Sequence, residues 1–377
     1  MVHNTLLLVA AFLAQATVLV HAFADPKPLA APRESYPCPE PEDILPCVCT
    51  KDEEAEHIDM DCSDVQSSQQ LRDAFHATIP FPTFRNLIIE KKTTEDRIPI
   101  TNIDKDTFNN IQFSYIRISH TTLKDIAPDT FEYSHATLET LIVTDSNLDS
   151  FPFDILIDCP KLTDLRVFRN KIFHMSDIRS TSLLYLQVSH NPGITYGDEA
   201  FFQAPNLQYL LLNDIKLAHV APDTFSKQSK LKYLDLSHNG ITTLYSASLS
   251  LFYVISLILF YLYKKCVIHL CFVWPGLKPG SVLWMHHNLL DDLPVDVWKP
   301  VKNNGRGKIT QYINCVLVRL PLTDNPLTCQ CNILWLVENP NYMDTMAAGA
   351  WCSDKEEMLV DVDVAFLKNN CPPSGTV

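Results

Sequence analysis

The chain has 377 residues, of which 46% are hydrophobic and 20% charged, with 25 prolines and 9 glycines. It is too apolar for a disordered polypeptide and too poor in glycine for a collagen-like one. Lys and Arg number 30 against 44 Asp and Glu, a formal charge of -14, so the average field repels a nucleic-acid backbone or an anionic lipid surface. Nucleic acid is therefore not an expected partner, and a mean hydropathy near zero excludes a polytopic membrane protein.

Residues 1–24 read as a secretory signal: a short polar start, the apolar run Leu6 to Leu13, and small residues ending in Ala22-Phe23-Ala24. A linker over 25–37 follows. Cys38, Cys47, Cys49 and Cys62 then set out C-x8-C-x-C-x12-C inside an N-terminal cysteine-rich cap, residues 38–83. Of the twelve cysteines, eight fall into two terminal clusters, which fits an oxidising compartment and a secreted, extracellular protein. No N-x-Ser/Thr sequon occurs, so N-glycosylation is not expected.

From residue 84 to 324 one template recurs, L-x-x-L-x-L-x-x-N-x-L. Its copies are FSYIRISHTTL from Phe113, LETLIVTDSNL from Leu138, LTDLRVFRNKI from Leu162, LLYLQVSHNPG from Leu183, LQYLLLNDIKL from Leu207 and LKYLDLSHNGI from Leu231. Their starts are 21 to 25 residues apart, inside the range of leucine-rich repeats. A degenerate copy begins at Phe84 and a late one spans Gly280 to Leu290, which makes eight strands in all. The expected fold is an α/β leucine-rich-repeat solenoid: a curved parallel sheet with disulfide caps at both ends. Alternation sends the template leucines inward, and each repeat buries its face only against its neighbours. A second column of apolar residues ends in Phe108, Phe131 and Phe225, which are expected to stack as one spine.

Two stretches depart from the template. Residues 250–276 form an atypical hydrophobic insertion, and Ile241 to Tyr263 lack any charged residue, long enough for a membrane span flanked by Lys264 and Lys265. A span there would leave the C-terminal cysteines in the cytosol, where they would not oxidise, so membrane attachment is not expected. A second insertion covers 310–321. Both read first as translated intron sequence, with an extruded loop as the alternative.

The C-terminal cap, residues 325–371, carries Cys329, Cys331, Cys352 and Cys371 in C-x-C-x20-C-x18-C, before a tail over 372–377. Spacing alone leaves three pairings open in each cap. Both clusters resemble the cysteine-rich flanking caps of extracellular leucine-rich-repeat proteins, the group that includes small leucine-rich proteoglycans and Slit-like proteins. That resemblance implies Cys38 with Cys49, Cys47 with Cys62, Cys329 with Cys352, and Cys331 with Cys371. The acidic N-terminal cap, the DTF phrases, GSVLWMHHNLLDDLPVDVW, and NPLTCQCNILWLVENPNYMD followed by WCSD are similar to arthropod secreted proteins. That family is named for the Oplophorus-luciferin 2-monooxygenase non-catalytic subunit. The likeness spans roughly 36–249 and 277–372, and it implies an accessory subunit that holds or stabilises a partner protein, such as a small catalytic chain.

Residues between the core leucines face the concave surface. One such column reads Tyr115, Thr140, Asp164, Tyr185, Tyr209, Tyr233 and Val282; its neighbour reads Arg117, Ile142, Arg166, Gln187, Leu211, Asp235 and Trp284. Tyr115, Arg117, Arg166, Tyr185, Gln187, Tyr209, Tyr233, Asp235 and Trp284 are the candidate partner-binding residues, because Tyr, Trp and Arg dominate protein contacts. His120, His190, His238 and His287 form a further column, read as repeat vocabulary at the strand end with no metal expected. Cys159 reads as a small apolar filler. No P-loop, G-x-G-x-x-G, G-x-S-x-G, H-E-x-x-H or EF-hand pattern is present, so no catalytic residue and no cofactor are assigned and an enzyme is not expected. The alternative function is an adhesion module of matrix or cell surface, or an innate-immune recognition module.

Overall fold

In a computed structural model the described residues are 37–52, 54, 57–91, 96–244, 282–293, 322–347 and 349–371. The expected signal segment, both insertions and the tail lie outside them, as does all but the last residue of the linker. Ten strands form the main sheet in chain order: β1 (Val48–Asp52), β2 (His57–Asp61), β3 (Thr83–Glu90), β4 (Gln112–Ser119), β5 (Thr140–Thr144), β6 (Asp164–Arg166), β7 (Tyr185–Gln187), β8 (Tyr209–Leu211), β9 (Tyr233–Asp235) and β10 (Val282–Trp284). β1 and β2 are an antiparallel hairpin of the N-terminal cap, and every later pairing is parallel. The eight template strands are thus joined by two that the cap adds.

Register is in step with the template. Leu141, Leu165, Leu186, Leu210, Leu234 and Leu283 are direct partners from strand to strand, and each is at most 1% exposed. A one-residue slip would turn this whole row to solvent, which is why the register is so strongly specified. After several of the strands an asparagine stitches its repeat to the one before. Asn191 Nδ2 donates to the carbonyls of Val167 and Val188, and its Oδ1 accepts from Ile172 N–H. Asn239, Asn288 and Asn325 repeat the pattern. These groups satisfy buried backbone where the ladder stops.

Of the phenylalanines expected to stack, Phe108 and Phe131 do so, with centroids 6.2 Å apart and planes at 17°. Phe225 instead packs on Phe201, at 5.6 Å, so the spine is in two pieces. The physical reason lies in the repeats between, which fill the layer with Phe153 and Leu156 from a 3-10 helix over Phe153–Asp158, and with Ile178. Among the described residues the α-helices belong to the caps; the convex side carries 3-10 turns and two-residue parallel strands.

The N-terminal cap seals its end with α1 (Ser68–Phe75), which starts where Ser67 accepts from Gln70 N–H and buries Leu71, Ala74 and Phe75. Phe75 meets Phe108 and Phe113 edge-on at 5.2 and 5.8 Å. The C-terminal cap brings α2 (Leu334–Val337), α3 (Pro340–Met346) and α4 (Val364–Asn370), with Trp335 Nε1 donating to the Leu293 carbonyl of the last repeat. Disulfides join Cys38 to Cys49, Cys47 to Cys62, Cys329 to Cys352 and Cys331 to Cys371. They close loops of 11 to 40 residues, each worth about 3–4 kcal/mol in chain entropy.

β9 and β10 are hydrogen-bonded neighbours, although Tyr233 and its partner Val282 lie 49 residues apart, two repeat periods. Leu236 N–H donates to Trp284, Ile241 N–H to Asn288 Oδ1, and Leu289 N–H to Ile241. The repeat that leaves at Ile241 is therefore completed by the one that resumes at Val282, with no strand between them.

Candidate interaction surface

The two outward columns are in register across the sheet. Tyr115, Thr140, Asp164, Tyr185, Tyr209, Tyr233 and Val282 are successive partners, as are Arg117, Ile142, Arg166, Gln187, Leu211, Asp235 and Trp284. The nine candidate residues therefore share one face, but they do not form one patch. Tyr115 and Arg117 sit three strands from Tyr185, about 14 Å at ordinary strand spacing.

The N-terminal part of this face is a set of ion pairs between neighbouring strands. Arg85 grips Asp59 with its Nε and Nη2, and Arg117 grips Glu90 through two bonds of 2.8 and 2.7 Å. Arg166 does the same to Asp164 within its own strand. Its guanidinium also lies 4.4 Å from the centre of the Tyr185 ring, which marks the change from charge to aromatic surface.

From Tyr185 onward the face is aromatic. Tyr185 and Tyr209 stack at 5.8 Å, Tyr209 and Tyr233 follow at 6.4 Å, and Trp284 lies on the next strand in the neighbouring column. Tyr209 is 39% exposed at its centre. Burial pushes the hydroxyls of Tyr185 and Tyr233 above the usual tyrosine value, so both stay protonated donors. Tyr185 donates to Gln187 Oε1, whose amide donates to Ser189. The rings are thus held in fixed rotamers by neighbours, a rigid apolar surface with polar tips.

The histidine column has a backbone cause. His120, His190, His238 and His287 all have φ between 51° and 54°, and Asp145, Arg169, Asp214 and Asp324 occupy the same left-handed position in other repeats. Asp and His tolerate that region better than most side chains, so the recurring S-H-N follows from the turn. His190 Nδ1 lies 2.8 Å from Asp214, and His287 Nε2 3.2 Å from Asp324. His286, adjacent to His287, belongs to none of the columns read from the sequence. Its ring packs edge-on to Trp284 at 5.3 Å. The signal that could have found it is its two-residue spacing from Trp284, which puts it on the same face of the strand. Burial, and then His238, holds its imidazole below the usual histidine value.

Cys159 is fully buried and unpaired, and burial, then Asp158, pushes its thiol up to about 12. It lines a convex cavity of about 190 Å³ with Leu156, Pro160, Arg179 and Gln203. A thiol held neutral there is a poor nucleophile.

A family model described as Leucine rich repeat matches residues 205–252. The chain is 30% identical over 350 residues to the Oplophorus-luciferin 2-monooxygenase non-catalytic subunit of Oplophorus gracilirostris, covering 90% of each protein. Two solved structures share the solenoid at 18% identity and a TM-score of 0.50. They are the TLR13-ssRNA13 complex, where 71% of this chain covers 31% of that one, and the Drosophila Toll–Spatzle complex, where 81% covers 43%. By its template, its caps and this near full-length match, the chain belongs to the family of the Oplophorus-luciferin 2-monooxygenase non-catalytic subunit and is built on leucine-rich repeats.

Proposed function

We propose that the chain is a secreted, non-catalytic scaffold whose concave aromatic face binds a partner protein, as an accessory subunit. The observation that carries this reading is the row Tyr185, Tyr209 and Tyr233, with Trp284 in the neighbouring column on the next strand. Four preorganised rings on adjacent strands supply large contact area at little entropic cost, the composition of a binding hot spot. Eight cysteines joined in four disulfides support an oxidising, extracellular setting. The relative is a non-catalytic subunit by name, which supports an accessory role for this chain beside a catalytic one. Two further observations favour this role over catalysis: Asp59, Glu90 and Asp164 of the concave face are tied to arginines in ion pairs, and the buried Cys159 thiol of the convex side is held protonated.

The test is purification of the chain from its native secretion at moderate salt, followed by mass analysis. The expected result is a stoichiometric complex with one second protein. A chain that runs alone, or that by itself turns over Oplophorus luciferin with oxygen, would overturn the proposal.

A further inference from the structure

Three imidazoles converge at the C-terminal end of the concave face, beyond anything the protein-binding reading requires. His238 ends the repeat of β9, and His286 and His287 end the repeat of β10; one ring nitrogen from each lies within 4.8 Å of the other two. The rings of His238 and His287 stack at 4.2 Å, and His286 stands against them at 5.1 and 5.2 Å. Backbone bonds hold the donors: His238 N–H donates to the His286 carbonyl and His287 N–H to Thr323. His286 Nδ1 is buried and has no hydrogen-bond partner among the described residues, an arrangement that costs free energy unless something accepts its lone pair or takes its proton.

We infer that His238, His286 and His287 form a binding site for a divalent transition metal ion, zinc being the best fit, with an open fourth position toward solvent. The donor set is right for such an ion: three neutral imidazoles suit zinc, copper or nickel and do not suit magnesium or calcium, which take oxygen ligands. Tetrahedral coordination at the usual zinc–nitrogen distance puts the donors about 3.3 Å apart, so the rings need to close by up to about 1.5 Å, within the reach of side-chain rotation. His238 and His287 are exposed enough to make that adjustment. Asp324, 3.2 Å from His287 Nε2, supplies the carboxylate that commonly orients a metal-bound imidazole. The equivalent His190 lacks this company and faces Asp214 instead, which makes it an internal control.

The experiment is zinc titration of the full chain, purified without a histidine tag and stripped with chelator, read by calorimetry and by the visible spectrum of the cobalt-substituted protein. The expected result is one equivalent bound, with a tetrahedral cobalt spectrum. His286→Ala, or the double change His238→Asn with His287→Asn, should weaken binding by more than about 100-fold, and Asp324→Asn by about tenfold. Asparagine keeps the left-handed backbone at 238 and 287, so folding, monitored by circular dichroism, should survive. His190→Asn should leave binding unchanged. Absence of zinc uptake, or uptake indifferent to His286→Ala and to the double change, would overturn the inference.

Discussion

Asn191 donates from Nδ2 to the Val167 carbonyl, 2.8 Å away in the preceding repeat, while its Oδ1 accepts from Ile172 N–H of that same repeat. Asn170 makes only half of this connection: its amide donates to Val143 and Phe168, and its oxygen has no partner among the described residues. Replacing Asn191 by Ala leaves a donor and two acceptors unmatched in the core and should cost about 3 kcal/mol, whereas Asn170→Ala should cost about half of that. Urea denaturation of the two variants checks the order.

The broken phenylalanine spine makes a second prediction. Phe201 is fully buried between Tyr196 and Phe225. Phe201→Ala should cost about 3–5 kcal/mol, by lost burial and by the cavity left behind. Because solenoid repeats couple only to their neighbours, hydrogen exchange should rise around residues 196–231 and far less around β3 and β4. A uniform rise over the chain would contradict this.

On the concave face, the rings and the ion pairs should behave differently. Tyr209→Ala and Trp284→Ala should each weaken partner binding by about 2 kcal/mol, roughly 30-fold. Arg117 is already committed to Glu90, so Arg117→Ala should change affinity by less than about 1 kcal/mol. Affinities measured by surface plasmon resonance with the co-purified partner give the comparison.

Cys159 offers a pH-dependent check. With its thiol pushed up to about 12 in the fold, the neutral form is favoured, so this contribution to stability is intact at neutral pH and is lost as alkaline pH rises through the folded value. At mildly alkaline pH, iodoacetamide should label Cys159 in denaturant and not in the native protein. Peptide mass mapping reads both states, and rapid native labelling would show the site to be open.

Much of this architecture was legible in the residues, because a repeat states its rule many times over. The leucine row, the strand register and both outward columns follow from one eleven-residue template, and chance departures in a single copy do not hide it. What the template could not supply is contact between different rows. His286 meets His238 because a left-handed turn brings the end of one strand against the next, and Phe225 meets Phe201 because Phe201 belongs to the preceding repeat, whereas Phe131 lies four strands away. The adjacency of β9 and β10 follows once 250–276 is read as an insertion, although 49 residues separate partners that are one repeat apart in space. From that adjacency, deletion of 250–276 should leave a folded chain whose midpoint of thermal unfolding changes by no more than about 3 °C. Loss of folding on deletion would mean that the segment belongs to the core.

The concave aromatic row is the claim on which the functional account rests. A photo-activatable cross-linker placed at position 209, in the centre of that row, and in a separate preparation at the convex, 62% exposed Ile157, tests it most directly in native secretion. Capture of one predominant partner from position 209 and not from position 157 is the predicted result. Equal capture from both, or capture from 157 alone, would contradict it.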